Sequence, residues 1–134
     1  MGVKKVYISW NEVYEMLDDI ANGINDNITS VSGIPRGGSL LAILYSHRYN
    51  IEYRSAPIVG DPKQLIVDDI ADSGETLKLW QKEFKDSIFA TLHYKNISKV
   101  KPNIFAKEIE EDYGWIVYPW ERKDSKTIQN YLDN

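Results

Sequence analysis

The chain has 134 residues, of which 16 are basic and 20 acidic, and it contains no cysteine. This length is typical of one domain, so we expect a single domain over residues 1–134 whose core needs no disulfide bond or thiolate-bound metal. A net charge of −4 without a basic run argues against nucleic-acid binding, and no apolar run reaches the ~20 residues of a membrane span. The N-terminal residues lack the apolar core of a secretory signal, which favours a cytoplasmic location.

Apolar periodicity predicts alternating helices and strands along the chain. Ser9 and Glu12 form a capping-box signature that predicts the start of the first helix. A second helix is expected to follow the turn of residues 35–38 with its paired glycines, and a third is expected to begin at Gly74. The predicted strands span residues 28–34, 51–55, 65–67, 88–94, 104–106 and 115–120.

The order of these elements predicts an α/β fold. Repeated strand–helix–strand units favour a mostly parallel central sheet flanked by helices, a three-layer, Rossmann-like arrangement. The run Leu65, Ile66, Val67 is continuously apolar, which is typical of a central strand buried on both faces. Ligands of such sheets bind at the carboxyl ends of the strands, so the turns after Ile34 and Val67 are the expected site.

Residues 65–76 (LIVDDIADSGET) carry the densest group of polar side chains. We expect a buried strand that ends at Asp68 and Asp69, followed by a loop and the start of a helix. Backbone amides at a helix start, together with the hydroxyls of Ser73 and Thr76, favour a bound phosphate. Two carboxylates would repel a phosphate and instead suit a diol or Mg²⁺. The pattern predicts a ligand that contains both a sugar and a phosphate.

Two other interpretations fit parts of this segment. The acidic pair alone could be a strand terminus, with Ser73 capping the helix that follows. A receiver-type signalling domain also places an acidic pair near strand ends, and it would show no affinity for a sugar phosphate. Neither a Walker A loop nor the glycine pattern of dinucleotide-binding folds occurs in the chain.

Residues 65–76 closely resemble the phosphoribosyl diphosphate (PRPP) signature of the type I phosphoribosyltransferases. Residues 32–38 (SGIPRGG) resemble the pyrophosphate loop of that family. Residues 115–121 (WIVYPWE) and 8–10 resemble the ending and the N-terminus of its xanthine–guanine and hypoxanthine–guanine branch. The resemblance therefore covers nearly the whole chain.

The resemblance implies a glycosyltransferase of purine salvage. Such an enzyme transfers the 5-phosphoribosyl group from PRPP to a 6-oxopurine base (guanine, xanthine or hypoxanthine) and releases pyrophosphate. It further implies a Mg²⁺ cofactor, PRPP, a purine base or a nucleoside monophosphate as ligands, and a homodimer. The sequence does not choose among the three bases, because that contact is partly to the backbone.

The resemblance also implies a role for each site residue. Asp72 is the implied catalytic residue, facing the base and managing the proton on its imidazole-ring nitrogen. Asp68 and Asp69 are implied to hold the ribose hydroxyls and the Mg²⁺ shell. The full set of implied substrate-binding residues is Arg36, Gly37, Asp68, Asp69, Ala71, Asp72, Ser73, Gly74, Glu75, Thr76, Lys95, Trp115 and Ile116.

Within that set, Arg36 and Gly37 face the pyrophosphate, and residues 72–76 cradle the 5′-phosphate through amides. Lys95 matches the lysine that recognises the 6-oxo group. Trp115 matches the aromatic residue that stacks on the purine, and the backbone of Ile116 meets its 2-position. By contrast, His47 and His93 are interpreted as structural, and Trp120 as a core residue.

One segment departs from the family pattern. The family carries a longer hood loop between its second and third strands, whereas only residues 57–63 separate Ser55 from Gln64 here. This short connection favours an alternative function on the same fold: a PRPP- or nucleotide-binding regulatory protein with weak or no transferase activity.

Overall fold

The computed structural model describes residues 4–24 and 27–122. Its larger sheet has five strands in the order β3-β2-β4-β5-β6, and every strand pairing among the described residues is parallel. The strands are β1 (Lys5–Tyr7), β2 (Ser30–Gly33), β3 (Glu52–Tyr53), β4 (Gln64–Ala71), β5 (Ile88–Lys95), β6 (Ile104–Ile109) and β7 (Trp115–Val117). The helices are α1 (Trp10–Gly23), α2 (Gly37–Tyr49) and α3 (Glu75–Glu83), with a short 3₁₀ helix at Glu111–Tyr113.

Helices cover both faces of this sheet, which confirms the predicted fold class. On one face, α1 and α2 pack on the sheet in a core that includes Leu17, Leu41 and Val67. On the other face, Leu77 of α3 packs on Ile66 and Phe89 in a second core. The two cores lie on opposite sides of β4 because alternate residues of a strand face opposite ways.

The local signals at the helix ends behave as predicted. The Ser9 hydroxyl accepts a hydrogen bond from the Glu12 amide at 3.1 Å, and the Glu12 carboxylate accepts one from the Ser9 amide at 3.2 Å. This capping box satisfies two amides that would otherwise lack partners at the start of α1. Asn50, predicted to end α2, has a positive φ of 54° at the helix C-cap.

The central strand is longer than predicted. We expected it to end at the carboxylate pair, but β4 continues to Ala71, and Ile70 and Ala71 pair with His93 and Tyr94 of β5. Because the apolar residues resume after the pair, the strand passes through it. The turn predicted after Val67 was therefore wrong, and the loop begins at Asp72.

A second, two-stranded sheet escaped the sequence analysis. β1 pairs in parallel with β7, bringing Lys5 opposite Trp115 and Tyr7 opposite Val117. Three-residue strands are too short to show an alternating pattern, so β1 left no periodic signal. None of the helices in the described ranges is long and apolar enough to cross a membrane.

Candidate active site

The predicted pyrophosphate loop approaches the carboxylate strand very closely. Arg36 is exposed and immediately precedes α2. A side chain at Gly37 would overlap the carboxylate of Asp69, and one at Gly38 would overlap the carbonyl of Val67. The paired glycines therefore allow the N-terminus of α2, with its amides, to lie against β4.

Asp68 and Asp69 lie half-buried in the second half of the central strand, two residues before its carboxyl end. The Asp69 amide donates to Oδ1 of Asp68 at 2.9 Å, and the Ile70 amide donates to Oδ1 of Asp69 at 2.8 Å. Burial is the main cause that raises the pKa of both carboxyl groups, and the negative charge of Asp69 raises that of Asp68 further. Hydroxyl donors or a cation beside this pair would therefore stabilise the charged form of both carboxylates.

The carboxylates present fit a Mg²⁺ ion only if water and the substrate supply its other oxygen ligands. Within residues 4–24 and 27–122 there is no group of three or more metal-ligating side chains. In proteins Mg²⁺ is commonly held by one or two carboxylates, with water and substrate phosphates completing its octahedron. Asp68 and Asp69 provide that number of carboxylates and the preferred oxygen ligands.

The loop that follows β4 has the form of a phosphate cradle. Ala71 is buried, so only its backbone can face a ligand. Gly74 has φ +86° and immediately precedes α3. The Ser73 hydroxyl accepts from the amide of Glu75 at 3.3 Å, and Thr76 is half-buried in the first turn.

The cradle is held from behind by the segment after β5. The Lys99 amide donates to the Ser73 carbonyl at 2.9 Å, and the Lys99 ammonium forms an ion pair with Glu75. A side chain at Gly74 would overlap Ser98 and the amide of Lys99. The Glu75 side chain is thus engaged by Lys99, and its amide is engaged by the Ser73 hydroxyl.

Asp72 and Lys95 form an ion pair of 2.9 Å across the mouth of the site. Lys95 is the last residue of β5, and its side chain is 14% exposed. The sequence analysis assigned the two residues separately, one to the purine ring nitrogen and one to its 6-oxo group. Their contact brings the two side chains together at the carboxyl ends of the neighbouring strands β4 and β5.

The closing aromatic motif divides between the site and the core. Trp115 is half-buried, and its indole nitrogen is buried without a hydrogen-bond partner among the described residues. The Ile116 side chain is buried in the core, so its backbone is the part left for a ligand. Trp120 stacks on Tyr118 at 4.9 Å and packs against the core, as predicted for it.

Sequence reasoning did not find Tyr118. Its hydroxyl donates to the Asp69 carbonyl at 3.1 Å and lies 2.8 Å from Nδ1 of His93. His93 is buried, as its structural interpretation predicted, and burial lowers its pKa to about 4. Only proximity in the fold reveals this contact, because Tyr118 stands among other aromatic residues in the sequence.

Known proteins with similar sequences are purine phosphoribosyltransferases. The xanthine-guanine phosphoribosyltransferase of Cereibacter sphaeroides is 26% identical over an alignment that covers 88% of this chain and 87% of that protein. The protein of the same name from Roseobacter denitrificans is 39% identical over 57 residues, about a third (32%) of its length. No protein-family model matches the chain.

Solved structures agree with these sequence matches. A purine phosphoribosyltransferase of Pyrococcus horikoshii superposes with a TM-score of 0.74 at 28% identity, covering 93% of this chain and 98% of that one. The chain has the fold of the type I phosphoribosyltransferases. The Helicobacter pylori xanthine-guanine-hypoxanthine phosphoribosyltransferase, at 23% identity and a TM-score of 0.67 over 88% of this chain and 94% of that one, shows the same fold.

The predicted resemblance to the type I phosphoribosyltransferases is thereby confirmed. These relatives also support the prediction of an enzyme of the phosphoribosyltransferase class. The assignment of roles to the individual site residues stays a prediction.

Proposed function

We propose that this protein transfers the 5-phosphoribosyl group from PRPP to a 6-oxopurine base and releases pyrophosphate. The observation that carries the proposal is that the carboxylate pair with its phosphate cradle and the Asp72–Lys95 ion pair lie at the same edge of the sheet. The half-buried pair Asp68 and Asp69 lies within β4 shortly before the phosphate cradle, and Asp72 reaches Lys95 at 2.9 Å. The names of the relatives support the same reaction class.

PRPP binding divides among three groups of atoms in this proposal. The amides of residues 73–76 and the Ser73 and Thr76 hydroxyls hold the 5′-phosphate. Asp68 and Asp69 accept hydrogen bonds from the ribose hydroxyls, which directs the sugar toward the α2 N-terminus. Arg36 and the Gly37 amide then meet the pyrophosphate, where an exposed guanidinium supplies charge and paired donors.

The transfer step needs orientation and one proton acceptor. A purine ring nitrogen forms a bond to C1 of the ribose while the bond from C1 to the pyrophosphate oxygen breaks, and charge of the oxocarbenium type develops on the sugar. Asp72 accepts the proton that leaves the purine nitrogen. Lys95 donates to the 6-oxo group, and Trp115 stacks on the ring to fix its plane.

Mg²⁺ belongs to this proposal as the cation that neutralises pyrophosphate charge beside Asp68 and Asp69. A homodimer and a cytoplasmic location are also part of the proposal, as the resemblance implies.

The alternative function has one observation in its favour. Residues 57–63 are too few to fold over the site, and the structure fixes them by hydrogen bonds to Gln64 and Arg54. A ligand-binding regulator on this fold would need the PRPP contacts but no closed reaction chamber. It would bind PRPP or a nucleoside monophosphate without forming nucleotide.

Incubation with PRPP, Mg²⁺ and each candidate base tests the proposal directly. We expect the matching nucleoside monophosphate to form together with pyrophosphate, and to form with 6-oxopurines in preference to adenine. PRPP binding by calorimetry without any product would establish the regulatory alternative. Absence of both binding and product would contradict the two functions together.

A further inference from the structure

We propose that Tyr118 is a positioning residue for Asp69, and that His93 directs the Tyr118 hydroxyl proton toward the Asp69 carbonyl. The inference rests on the proposed function, since it concerns the carboxylate that holds the ribose. It assigns a role to two buried residues that the transfer step itself does not use.

The argument begins with a count of protons and acceptors. The Tyr118 hydroxyl has one proton and two polar neighbours, the Asp69 carbonyl oxygen at 3.1 Å and the His93 Nδ1 atom at 2.8 Å. A carbonyl oxygen can only accept, whereas a neutral imidazole nitrogen either donates or accepts. Both contacts are hydrogen bonds only if Nδ1 of His93 carries its proton and donates to the tyrosine oxygen.

Burial supports this arrangement of protons. Tyr118 and His93 are 3% and 1% exposed, so water cannot substitute for a lost partner. Burial lowers the His93 pKa to about 4, which keeps the imidazole neutral at neutral pH. A tyrosine hydroxyl keeps its proton at neutral pH, since its ordinary pKa is about 10.

The chain of hydrogen bonds ends at the peptide that carries the Asp69 carboxylate. That carboxylate lies against Gly37, and its Oδ1 atom accepts from the Ile70 amide at 2.8 Å. Tyr118 is itself held flat against Trp120, with 2° between the ring planes. The hydroxyl therefore ties the closing aromatic segment to the strand end and fixes where Asp69 meets the sugar.

The first test reads the proton position and needs no ligand. Long-range ¹⁵N–¹H NMR spectra distinguish the two neutral tautomers of histidine, and the chain has only His47 and His93. We expect the His93 signal, identified by its loss in His93→Asn, to show a protonated Nδ1. A protonated Nε2 would overturn the inference, because Tyr118 would then donate to His93 and not to Asp69.

The second test measures PRPP affinity by calorimetry with Mg²⁺ present. Tyr118→Phe keeps the ring stack and removes the hydroxyl, and we expect PRPP binding to weaken about three- to ten-fold, the size of one net hydrogen bond. The KM for PRPP should rise with little change in the KM for the base. Tyr49→Phe is the matched control, since it removes a half-buried hydroxyl that bonds Asp18 far from the site, and its affinity should equal that of the wild type.

The His93 variants separate positioning from packing. The side-chain amide of Asn can place a donor near the Nδ1 position, whereas that of Gln reaches the Nε2 position. We therefore expect His93→Asn to retain PRPP affinity within two-fold and His93→Gln to weaken it about as much as Tyr118→Phe. This pair also decides the question if Tyr118→Phe fails to fold.

The outcomes for this inference and for the proposed function are distinct. Wild-type protein that binds neither PRPP nor a nucleoside monophosphate would contradict the proposed function and the positioning role with it. Wild-type protein that binds PRPP, with unchanged affinity in Tyr118→Phe or equal affinities in the two His93 variants, would overturn this inference alone.

Discussion

Asp72 is the single residue from which we expect the largest loss of turnover. An amide in its place keeps the shape but cannot accept the purine proton, so Asp72→Asn should lower kcat by roughly 10²–10⁴ with a smaller effect on PRPP affinity. Steady-state assays with guanine measure both quantities. Asp86→Asn, at an exposed position outside the site, is the control. Unchanged turnover in Asp72→Asn would leave Asp72 only a structural partner of Lys95.

Lys95 and Trp115 should respond differently to the choice of base. Lys95→Ala removes the charged donor for the 6-oxo group, so the ratio of kcat/KM between guanine and adenine should fall. Trp115→Ala removes stacking, which is worth about 1–3 kcal/mol per base and does not read edge groups, so all purines should weaken by a similar factor. The same base profile in both variants would contradict this division of roles.

His93 makes a testable contribution to the pH dependence of stability. The pKa of His93 is about 4 in the folded protein and 6.5 in the unfolded chain. Between these two pH values the unfolded chain binds more protons than the folded protein, so the free energy of unfolding falls as the pH falls. At about 1.4 kcal/mol per unit, the loss from this buried group is about 3 kcal/mol.

Chemical denaturation at pH 7 and pH 4 measures this contribution against His93→Asn, which cannot titrate. The raised pKa values of Asp68 and Asp69 act in the opposite direction, but both proteins keep that pair, so it cancels in the comparison. We expect the wild type to lose more stability on acidification than the variant. Equal losses would mean that His93 is protonated as easily in the fold as outside it.

At the scale of elements, the connection between β3 and β4 is fixed and not lid-like. The buried Gln64 side chain accepts from the Ile58 amide at 3.0 Å, and its amide group donates to the Ile58 carbonyl and to Ser87. Ser87 in turn donates to the Asp61 carbonyl at 3.0 Å, and Arg54 pairs with the Asp61 carboxylate at 2.7 Å. These contacts tie the connection to the amino end of β4, at the edge of the sheet away from the site.

Gln64→Leu should therefore destabilise the protein. It leaves the partners of a fully buried amide unsatisfied, at a cost of about 1–3 kcal/mol for each buried group. Urea denaturation measures the change in the free energy of unfolding. Gln81→Leu is the control, since it loses only one exposed hydrogen bond to Lys101 and should lower the free energy of unfolding by less than ~1 kcal/mol. Equal stability of Gln64→Leu and the wild type would contradict the anchoring role.

The same scale shows which elements sequence patterns could predict. α1 and the central position of β4 followed from a capping box and a continuous apolar run, because these signals are local. The extension of β4 through Asp68 and Asp69 could not be predicted in this way, because two adjacent carboxylates are typical of a strand end. Only the pairing of Ile70 and Ala71 with β5 shows that the strand continues. The pairing of β1 with β7 joins the two ends of the described chain, and no local pattern encodes it.

For the whole molecule, the sequence predicted that two loop segments lie side by side at one edge of the sheet, but not which side chains contact each other. Residues 32–38 and 65–76 lie at neighbouring strand ends, as parallel topology requires. The ion pair of Asp72 with Lys95 and the contact of Tyr118 with Asp69 depend on the spacing of strands and on a separate small sheet. Those distances follow from packing, which the one-dimensional pattern does not contain.

The fixed connection leads to a prediction about the whole reaction. A lid excludes water from an activated sugar, and residues 57–63 are anchored away from the site. Water can then attack C1 of PRPP in place of the base, so that the bond to pyrophosphate breaks and ribose 5-phosphate forms. We expect slower turnover than in lid-bearing relatives, and measurable ribose 5-phosphate beside the nucleotide.

The ratio of ribose 5-phosphate to nucleotide, measured by chromatography during turnover, decides this prediction. Residues 123–134 lie outside the described residues, and a neighbouring subunit or this tail could supply the cover that the connection does not. If the full chain forms nucleotide without detectable ribose 5-phosphate, the site is closed by such a cover. Truncation after Arg122 should then raise the ratio if the tail is the cover and leave it unchanged if the subunit is. Transfer with hydrolysis in the full chain, and the same ratio after truncation, would show that an anchored connection leaves this site open to water.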